Sequence, residues 1–574
     1  MPDVELTRTF ALATVLLPLA AGLIVLILPD MVVARLREFA ATIMGLGTLC
    51  CAVALYAVSG SAGQSVSVAE LPGLTLPGTS AALDVSLGFY VDRLALLALL
   101  ASSALTFLVL VYAWGGVKQD GRRGEFFAYA LWALGGANLA LLSDNLLLML
   151  VGWEVASIML FYLITVGGDR ARHSAGKAMV MLGAADCALL LGVVLLMVTT
   201  ATGNGGRLSG IIAGGKVGLS GPGAGVAVAA FLLVVFGALT KAGAVPVHSW
   251  VPKAAEGAPA ATMALLPASL DKLLGIYLLA RACLFVFDLR SAAWLQLVLV
   301  IIGGSTVILA VMAALVQHDL KKLLSYHAVS QVGYMVLGIA SGTALGVAGA
   351  LFHMLNNAIY KNVLFLGAGA IEKRTGTTEL ERLGGLGRRM PYTFASMLIA
   401  ALAISGVPLF NGFVSKWMVY GGVLESAYSP PAGTSYAQLY TVVAVFGLVS
   451  AMFGSALTLA SFVKVIHSAF MGPATRECEA ARPAPFSVRL PMYVMSLACL
   501  VLGVFPHFVI YNPFLTRIVV DAGLVSVADV LPQSGMSCSR VSGRSLTVTI
   551  ASIDAITTAE DELSPRRGGI SPAT

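Results

Sequence analysis

The chain has 574 residues, of which 58% are hydrophobic and only 11% charged, with a mean hydropathy of +0.89 and a formal net charge of +6. Soluble domains carry about 25% charged residues, and here apolar runs of roughly twenty residues recur from end to end, which excludes a soluble globular protein in favour of many membrane crossings. The basic residues stand singly in short connectors, which argues against a nucleic-acid surface and for topology signals.

In chain order the apolar runs fall at 9–28, 39–58, 89–113, 126–143, 145–165, 176–199, 226–244, 259–284, 294–316, 325–341, 343–370, 392–411, 438–468 and 488–508. They predict an all-α polytopic membrane protein with about fourteen transmembrane helices, some of them tilted or broken. The first run lacks a basic flank and a small-residue cleavage site and is read as a retained helix. The stretch 59–88 is expected to pack over the bundle as an external loop. The glycine-rich 201–225 has no G-x-x-x-x-G-K-[ST] spacing, so it reads as a flexible connector and not a phosphate loop. Residues 370–391 form the largest charged loop, a candidate contact for a partner protein. Beyond about 515 the chain turns polar, and SPRRGGISPAT at its end reads as disordered.

Lys and Arg concentrate after the odd-numbered runs, among them Arg35, Arg37, Arg122, Arg123, Lys253, Lys321, Lys322, Lys373 and Arg374. The other side, tail excluded, has only Arg8, Arg93, Arg207, Lys216, Arg281 and Arg290. The positive-inside rule assigns the first face to the cytoplasm and both termini to the outside of a bacterial or archaeal inner membrane. The seven cysteines are scattered, without CxxC, iron–sulfur or haem-attachment spacing, so no redox centre or cofactor is expected in this chain.

Five lysines remain inside apolar stretches: Lys241, Lys272, Lys361, Lys416 and Lys464, together with Glu154, Asp186 and Asp271. A charge in hydrocarbon is costly, so its default reading is functional. Lys241 precedes a Pro/His/Trp/Pro break, and non-helical backbone at membrane depth belongs beside a polar cavity. His353 and Lys361 are eight residues apart, about 80° on one helix face, with Asn357 midway; the three make a polar stripe suited to a proton path. Burial disfavours charged forms and an opposite charge favours them, so altering the distance between Glu154 and Lys241 would alter proton affinity.

Plainer readings compete at several positions. Lys416 follows a Pro/Asn/Gly break and could snorkel to the interface, and Lys464 is about one turn from a membrane boundary. Asp186 is expected to be the counter-charge of a lysine or arginine on a neighbouring helix. Asp271 and Lys272 point about 100° apart and need separate partners. His248, in the turn PVHSWVP, and His318 and His327, flanking Lys321–Lys322, are expected at the mouth of a proton path, whereas His467 reads as interfacial. The histidines have no local Asp, Glu or Cys grouping, so no metal is expected.

The stretches SLGFYVDRLALL (86–97), SDNLLLMLVGWEVASIMLFYL (143–163), GALTKAGAVPVHSWVPKAAEGAPA (237–260), LVQHDLKKLLSYHAVSQVGYMVLG (315–338), ALFHMLNNAIYKNVLFLGAG (350–369) and ISGVPLFNGFVSKW (404–417) resemble the antiporter-like subunits shared by respiratory complex I, Mrp-type cation/proton antiporters and group 4 membrane-bound hydrogenases. The resemblance covers about residues 85–470. It implies two inverted five-helix repeats, each with a broken helix: residues 126–284 (helices 4–8) and 285–470 (helices 9–13). Helices 1–3 would occupy 1–125, a last transmembrane helix 471–515, and a flexible polar tail 516–574.

By the same resemblance Glu154 and Lys241 form the switching ion pair, Lys272 is the central relay, His353 and Lys361 connect the halves, and Lys416 lies on the exit route. Asp186, His248, His327, Asn357 and Lys464 are accessory. Three departures stand out: Asn357 where many relatives have a second histidine, Pro267 in place of a histidine with Lys272 displaced by about one residue, and no long lateral helix at the C-terminal end. The implied function is proton translocation within a multisubunit redox-driven pump of the hydrogenase or complex I kind. The alternatives are a component of an Mrp-type Na⁺/H⁺ antiporter, the membrane partner of an inorganic-carbon uptake system, or a scaffold that has lost conduction. The implied partners are integral membrane subunits and peripheral redox subunits carrying iron–sulfur clusters with nickel–iron or flavin. The transported ion is H⁺ or Na⁺.

Overall fold

Residues 3–27, 30–60, 63–70, 74–75, 82–83, 86–117, 122–200, 206–221, 223–430 and 436–525 are described by a computed structural model. The polar stretch from 526 onward, including SPRRGGISPAT, lies outside the described residues. Helices α1 (Val4–Ile27) and α2 (Asp30–Val58) are followed by short strands β1 (Gln64–Glu70), β2 (Leu74–Thr75), β3 (Ala82–Leu83) and β4 (Ser86–Val91). The apolar/polar alternation of QSVSVAE, with Val66 facing Phe89 across an antiparallel pair, makes a hairpin of β1 and β4 where only a loop is expected. It packs over the bundle: Asp144 N donates to Gly88 O at 3.0 Å, and Ser65 Oγ to Asp144 Oδ2 at 2.7 Å.

Next come α3 (Arg93–Gly116), α4 (Arg123–Leu142), α5 (Leu146–Thr165) and α6 (Asp169–Thr199). Asp144 and Asn145 do separate α4 from α5, because the Asn145 side chain caps α5 by accepting from Leu147 N and Leu148 N. After the short α7 (Leu208–Ala213) and strand β5 (Val217–Gly218), α8 (Gly225–Ala242) stops at Gly243, whose φ of +81° is the left-handed cap that glycine tolerates. Residues 243–249 form the expected break. Trp250 Nε1 donates to Thr240 O at 2.9 Å and Val245 N to Thr306 Oγ1 at 3.1 Å, so backbone groups freed by the break are satisfied within the protein.

The chain re-enters as α9 (Trp250–Ala255), α10 (Ala260–Leu265), a π-helical turn over Leu266–Leu270, α11 (Asp271–Ala280) and a second π-helical turn over Arg281–Val286. Pro267 sits in the first of these turns; lacking an N–H, it cannot continue the regular ladder. Strand β6 (Phe287–Asp288) leads to α12 (Ala293–Leu315), α13 (Leu320–Ala340) and α14 (Ala344–Thr375). Asp319 caps α13, so Lys321, Lys322 and His327 are helical and do not flank a loop.

After α15 (Leu386–Arg389), α16 (Pro391–Ser405) ends on left-handed Gly406, and α17 (Asn411–Tyr428) makes a second break. Between them Leu409 holds a φ of +76°, a strained conformation for a branched side chain of the kind that collects at functional breaks. The fourteen apolar runs omit α17, whose glycines and Lys416 dilute its apolar signal. Then follow α18 (Ala437–Phe470), α19 (Phe486–Val504), a π-helical stretch over His507–Leu515 and α20 (Thr516–Asp521), so the first residues assigned to the tail are helical.

Among the described residues twelve helices are long and apolar enough to cross a membrane, and α16 is a shorter apolar helix. The 32-residue α14 is not apolar enough to be counted with them, since His353, Asn356, Asn357, Lys361 and Asn362 interrupt it.

The two charge populations occupy opposite ends of the bundle. On one face Lys321 pairs with Glu372 (3.0 Å), Lys322 with Glu256 (2.9 Å), and Lys373 Nζ donates to Gly115 O (2.7 Å). Burial pushes the Glu256 carboxyl up, but hydrogen bonds from Lys253 and Lys322 outweigh it and hold the group below its ordinary value. On the other face Arg281, grouped by sequence with the connectors, is only 2% exposed and grips Asp92 through both terminal guanidinium nitrogens at 2.5 Å.

Close approach at the second break depends on glycine. A Cβ on Gly412 would lie 1.8 Å from Ala403 O. Gly412→Ala is therefore expected to push α17 off α16 and to destabilise the protein by about 1–3 kcal/mol, the usual range for overpacking, read as a lower melting temperature of the detergent-purified protein.

Candidate functional site

The ionisable side chains lie on helices that pack in succession: α5 on α6, α6 on α8, α8 on α11, α11 on α14, and α14 on both α13 and α17. These carry Glu154, Asp186, Lys241, Asp271 with Lys272, His353 with Lys361, and Lys416. Lys241, Lys272, Lys361 and Lys416 are each at most 2% exposed.

Lys241 ends α8 with its ammonium enclosed. Nζ donates to Ser157 Oγ at 2.6 Å and to Trp153 O at 3.5 Å, sits 5.2 Å from the centre of the Trp153 ring, and is 3.6 Å from Asp271 Oδ1. Asp186 is connected to it indirectly: Ser157 Oγ donates to Asp186 Oδ2 at 3.0 Å, and Trp153 Nε1 to Oδ1 at 2.6 Å. The expected direct pairing of Asp186 with a basic residue is thus replaced by a hydroxyl-bridged one.

The expected Glu154–Lys241 contact is not made; among the described residues no ion pair joins them. Trp153 and Ser157, one turn apart, take the α5 face turned to α8, and Glu154 is rotated about 100° from Trp153 into a half-buried position.

Lys272 Nζ donates to Ala242 O at 2.9 Å, and Lys416 Nζ to Ile404 O at 2.8 Å. Each lysine therefore covers a carbonyl at the C-terminal end of a broken helix, where the helix dipole favours a cation. Lys416 also lies 4.8 Å from the Tyr334 ring centre. It is buried and does not snorkel.

On α14, His353 Nδ1 meets Ser415 Oγ at 3.0 Å, and Nε2 meets Gln331 Oε1 at 3.2 Å and Tyr360 OH at 3.4 Å. Lys361 Nζ donates to Leu324 O at 3.0 Å, beside the Phe462 ring. Asn357 is fully buried, and neither of its amide atoms has a partner among the described residues. Such groups ordinarily bind water. Asn362 Nδ2 donates to Ser269 Oγ at 2.5 Å, tying α14 to the π-helical turn ahead of Asp271.

The remaining candidates separate. His327 does not line a mouth: it is fully buried, with Nε2 on Ser461 Oγ at 2.7 Å and its ring against Phe462, because α13 starts earlier than the apolar run suggests. His248 is half-buried in the break, its ring centre 6.4 Å from that of Tyr326. Lys464 Nζ donates to Leu315 O and Gln317 O at 3.1 and 2.9 Å, a cap on the end of α12. His318 is exposed and pairs with Glu381.

At the face bearing Lys321 a cavity of about 520 Å³ is lined by Tyr112, Val117, Gly167, Pro259, Lys321 and Glu372 among others. Glu372 is eleven residues, about 16 Å, along α14 from Lys361. Among the described residues no group of three or more His, Cys, Asp or Glu is placed to hold a metal ion.

In the sequence Asp271 stands out as a charge without an evident role, whereas Ser157, Gln331, Ser415, Tyr334 and Tyr360 do not stand out at all. Hydroxyls and amides are too common in helices to stand out before the packing of one helix on another is known.

Broken apolar helices with a line of buried charges between them define an all-α polytopic membrane protein with an ionisable core. The NADH:quinone oxidoreductase/Mrp antiporter transmembrane family model matches residues 143–430, and that of the complex I chain 5 N-terminus matches residues 79–127. The chain belongs to this family.

It is 32% identical over 417 residues to a component of a probable K⁺/H⁺ antiporter of Rhizobium meliloti, covering 72% of this chain and 39% of that protein. It is 32% identical over 377 residues to a component of hydrogenase-4 of Escherichia coli (63% and 54%). It is 30% identical over 415 residues to a component of the Na⁺/H⁺ antiporter of Alkalihalophilus pseudofirmus (72% and 79%). The chain thus spans about half or less of the first two relatives. In fold it is similar to a chain of the Mrp complex from a Dietzia species (TM-score 0.74, 24% identity, 90% of this chain and 98% of that one). It is also similar to a chain of respiratory complex I from Thermus thermophilus (TM-score 0.72, 22% identity, 90% and 100%).

Proposed function

We propose that this chain is a proton-translocating component of a multisubunit, redox-driven membrane pump. The observation that carries the reading is the run of four enclosed lysines, Lys241, Lys272, Lys361 and Lys416, on helices that pack in succession across both breaks. Replacing such charges by apolar residues is often neutral or stabilising, so a scaffold has no use for them. Protons enter from the cavity at the basic, cytoplasmic face and move along Lys272, the His353–Asn357–Lys361 stripe and Lys416. Lys241, with Glu154 and Asp186, responds to the driving reaction. His248 and His327 assist, and Lys464 holds the end of α12.

The architecture proposed is of fourteen transmembrane crossings with inverted repeats over 126–284 and 285–470, in a bacterial or archaeal inner membrane with both termini outside. The redox cofactors, iron–sulfur clusters with nickel–iron or flavin, belong to partner subunits. The similarity to antiporter components over most of the chain supports a second reading, a place in an Mrp-type cation/proton antiporter.

Inside-out vesicles from cells with and without the chain separate the two. A pump acidifies their interior when given NADH, formate or hydrogen, and deletion removes this signal. An antiporter instead dissipates an existing pH gradient on a Na⁺ or K⁺ pulse. Vesicles that do neither differently after deletion would refute both readings.

A further inference from the structure

Lys241 is approached by anions from two directions. On the α5–α6 side it reaches Asp186 through Ser157, and on the α11 side it faces Asp271. The two sides are held differently. Asp186 accepts hydrogen bonds on both oxygens. Neither oxygen of the fully buried Asp271 has a hydrogen-bond partner among the described residues, and Lys241 stops 3.6 Å away. The locked pair Arg281–Asp92 shows what a structural ion pair looks like in this chain: two contacts at 2.5 Å, with Tyr277 OH accepting from Arg281 Nε at 3.1 Å. An enclosed carboxylate without a donor is costly, and a loose pair is what two alternating arrangements require.

Asp271 also opens the π-offset helix α11 directly before Lys272, whose Nζ is bound to Ala242 O, the residue next to Lys241. Two ammonium groups gathered at the end of α8 from neighbouring helices repel unless an anion stands between their approaches.

We propose that Asp271 is a positioning residue, the second seat of the Lys241 ammonium: it receives Lys241 when that side chain leaves the α5–α6 side, where Ser157 now holds it, and its charge lets Lys241 and Lys272 stand as neighbours. This rests on the translocation reading above and adds a carboxylate to it. What changes is the net charge beside Lys272, which rises by one when Lys241 arrives and falls when it leaves.

The test uses the intact complex in vesicles, with the substrate or cation that supports transport in the unaltered protein. Asp271→Asn and Asp271→Ala are expected to cut the initial rate at least about tenfold, the scale of a misplaced group, with the complex still assembled on a native gel. Asp271→Glu is expected to restore most of the rate, which a merely space-filling role would not produce. Wild-type rates in Asp271→Asn beside a silent Lys241→Ala would overturn this proposal alone; a fully active Lys241→Ala would remove the translocation reading and this proposal with it. Should Asp271→Asn fail to assemble, an electron cryo-microscopy map of the Glu154→Gln complex decides. Lys241 Nζ is expected within about 3.5 Å of the Asp271 carboxylate, and Lys241 turned away from it would refute the second seat.

Discussion

Lys241→Ala is expected to lower coupled proton movement by about a hundredfold or more, the scale on which a proton-handling group contributes to a rate. Its ammonium stands between the Ser157–Asp186 bridge, which it hydrogen-bonds at 2.6 Å, and Asp271, 3.6 Å away, so its loss disconnects them. Glu154→Ala separates function from stability. Glu154 is half-buried and forms no ion pair among the described residues, so its removal deprives the fold of little. Its loss is nonetheless expected to reduce transport steeply, because it removes the anion toward which Lys241 moves. Vesicle acidification, with complex abundance measured on the same membranes, checks both. Unchanged transport in both variants would refute the assignment of the switch.

Asp92→Ala is expected to have the largest effect on stability, a loss of about 3–5 kcal/mol, as found when one partner of a buried pair is removed. The carboxylate caps α3 by accepting from Ala95 N at 2.9 Å and binds both terminal nitrogens of Arg281. Removing it leaves a guanidinium 2% exposed against Tyr90, Tyr277 and Phe285 without its ion-pair partner. Arg281→Met should be milder, since the orphaned Asp92 keeps its capping hydrogen bond. The amount of folded protein recovered in detergent and its melting temperature test the order. Equal stability of Asp92→Ala and the unaltered protein would show that the pair is dispensable.

The buried charges were legible individually, because any lysine in an apolar run is exceptional, and the positions of both breaks follow from GAVPVHSWVP and SGVPLFNG. Their partners were not. Whether α5 turns Trp153 and Ser157 or Glu154 toward α8 depends on helix phase, which packing decides and composition does not. The direction of Asp271 was hidden for a further reason: the π-helical turn around Pro267 alters the residues per turn, so regular 100° spacing cannot be carried through it. Arg281 reads as a connector residue on charge alone, although YLLARACLFVF continues apolar on both sides. The α17 helix is hidden for the opposite reason, its polar and glycine residues masking a segment that carries Lys416 and Ser415 to the site.

Proton passage along this line depends most on a hydrated connection between Lys272 and Lys361. An electron cryo-microscopy map of the intact complex, at a resolution that shows ordered water, tests it directly. The expected result is water bound to both amide atoms of Asn357 and continuing between Lys272 and Lys361. A dry, apolar seal around Asn357, with no solvent joining those two lysines, would contradict proton passage along this line.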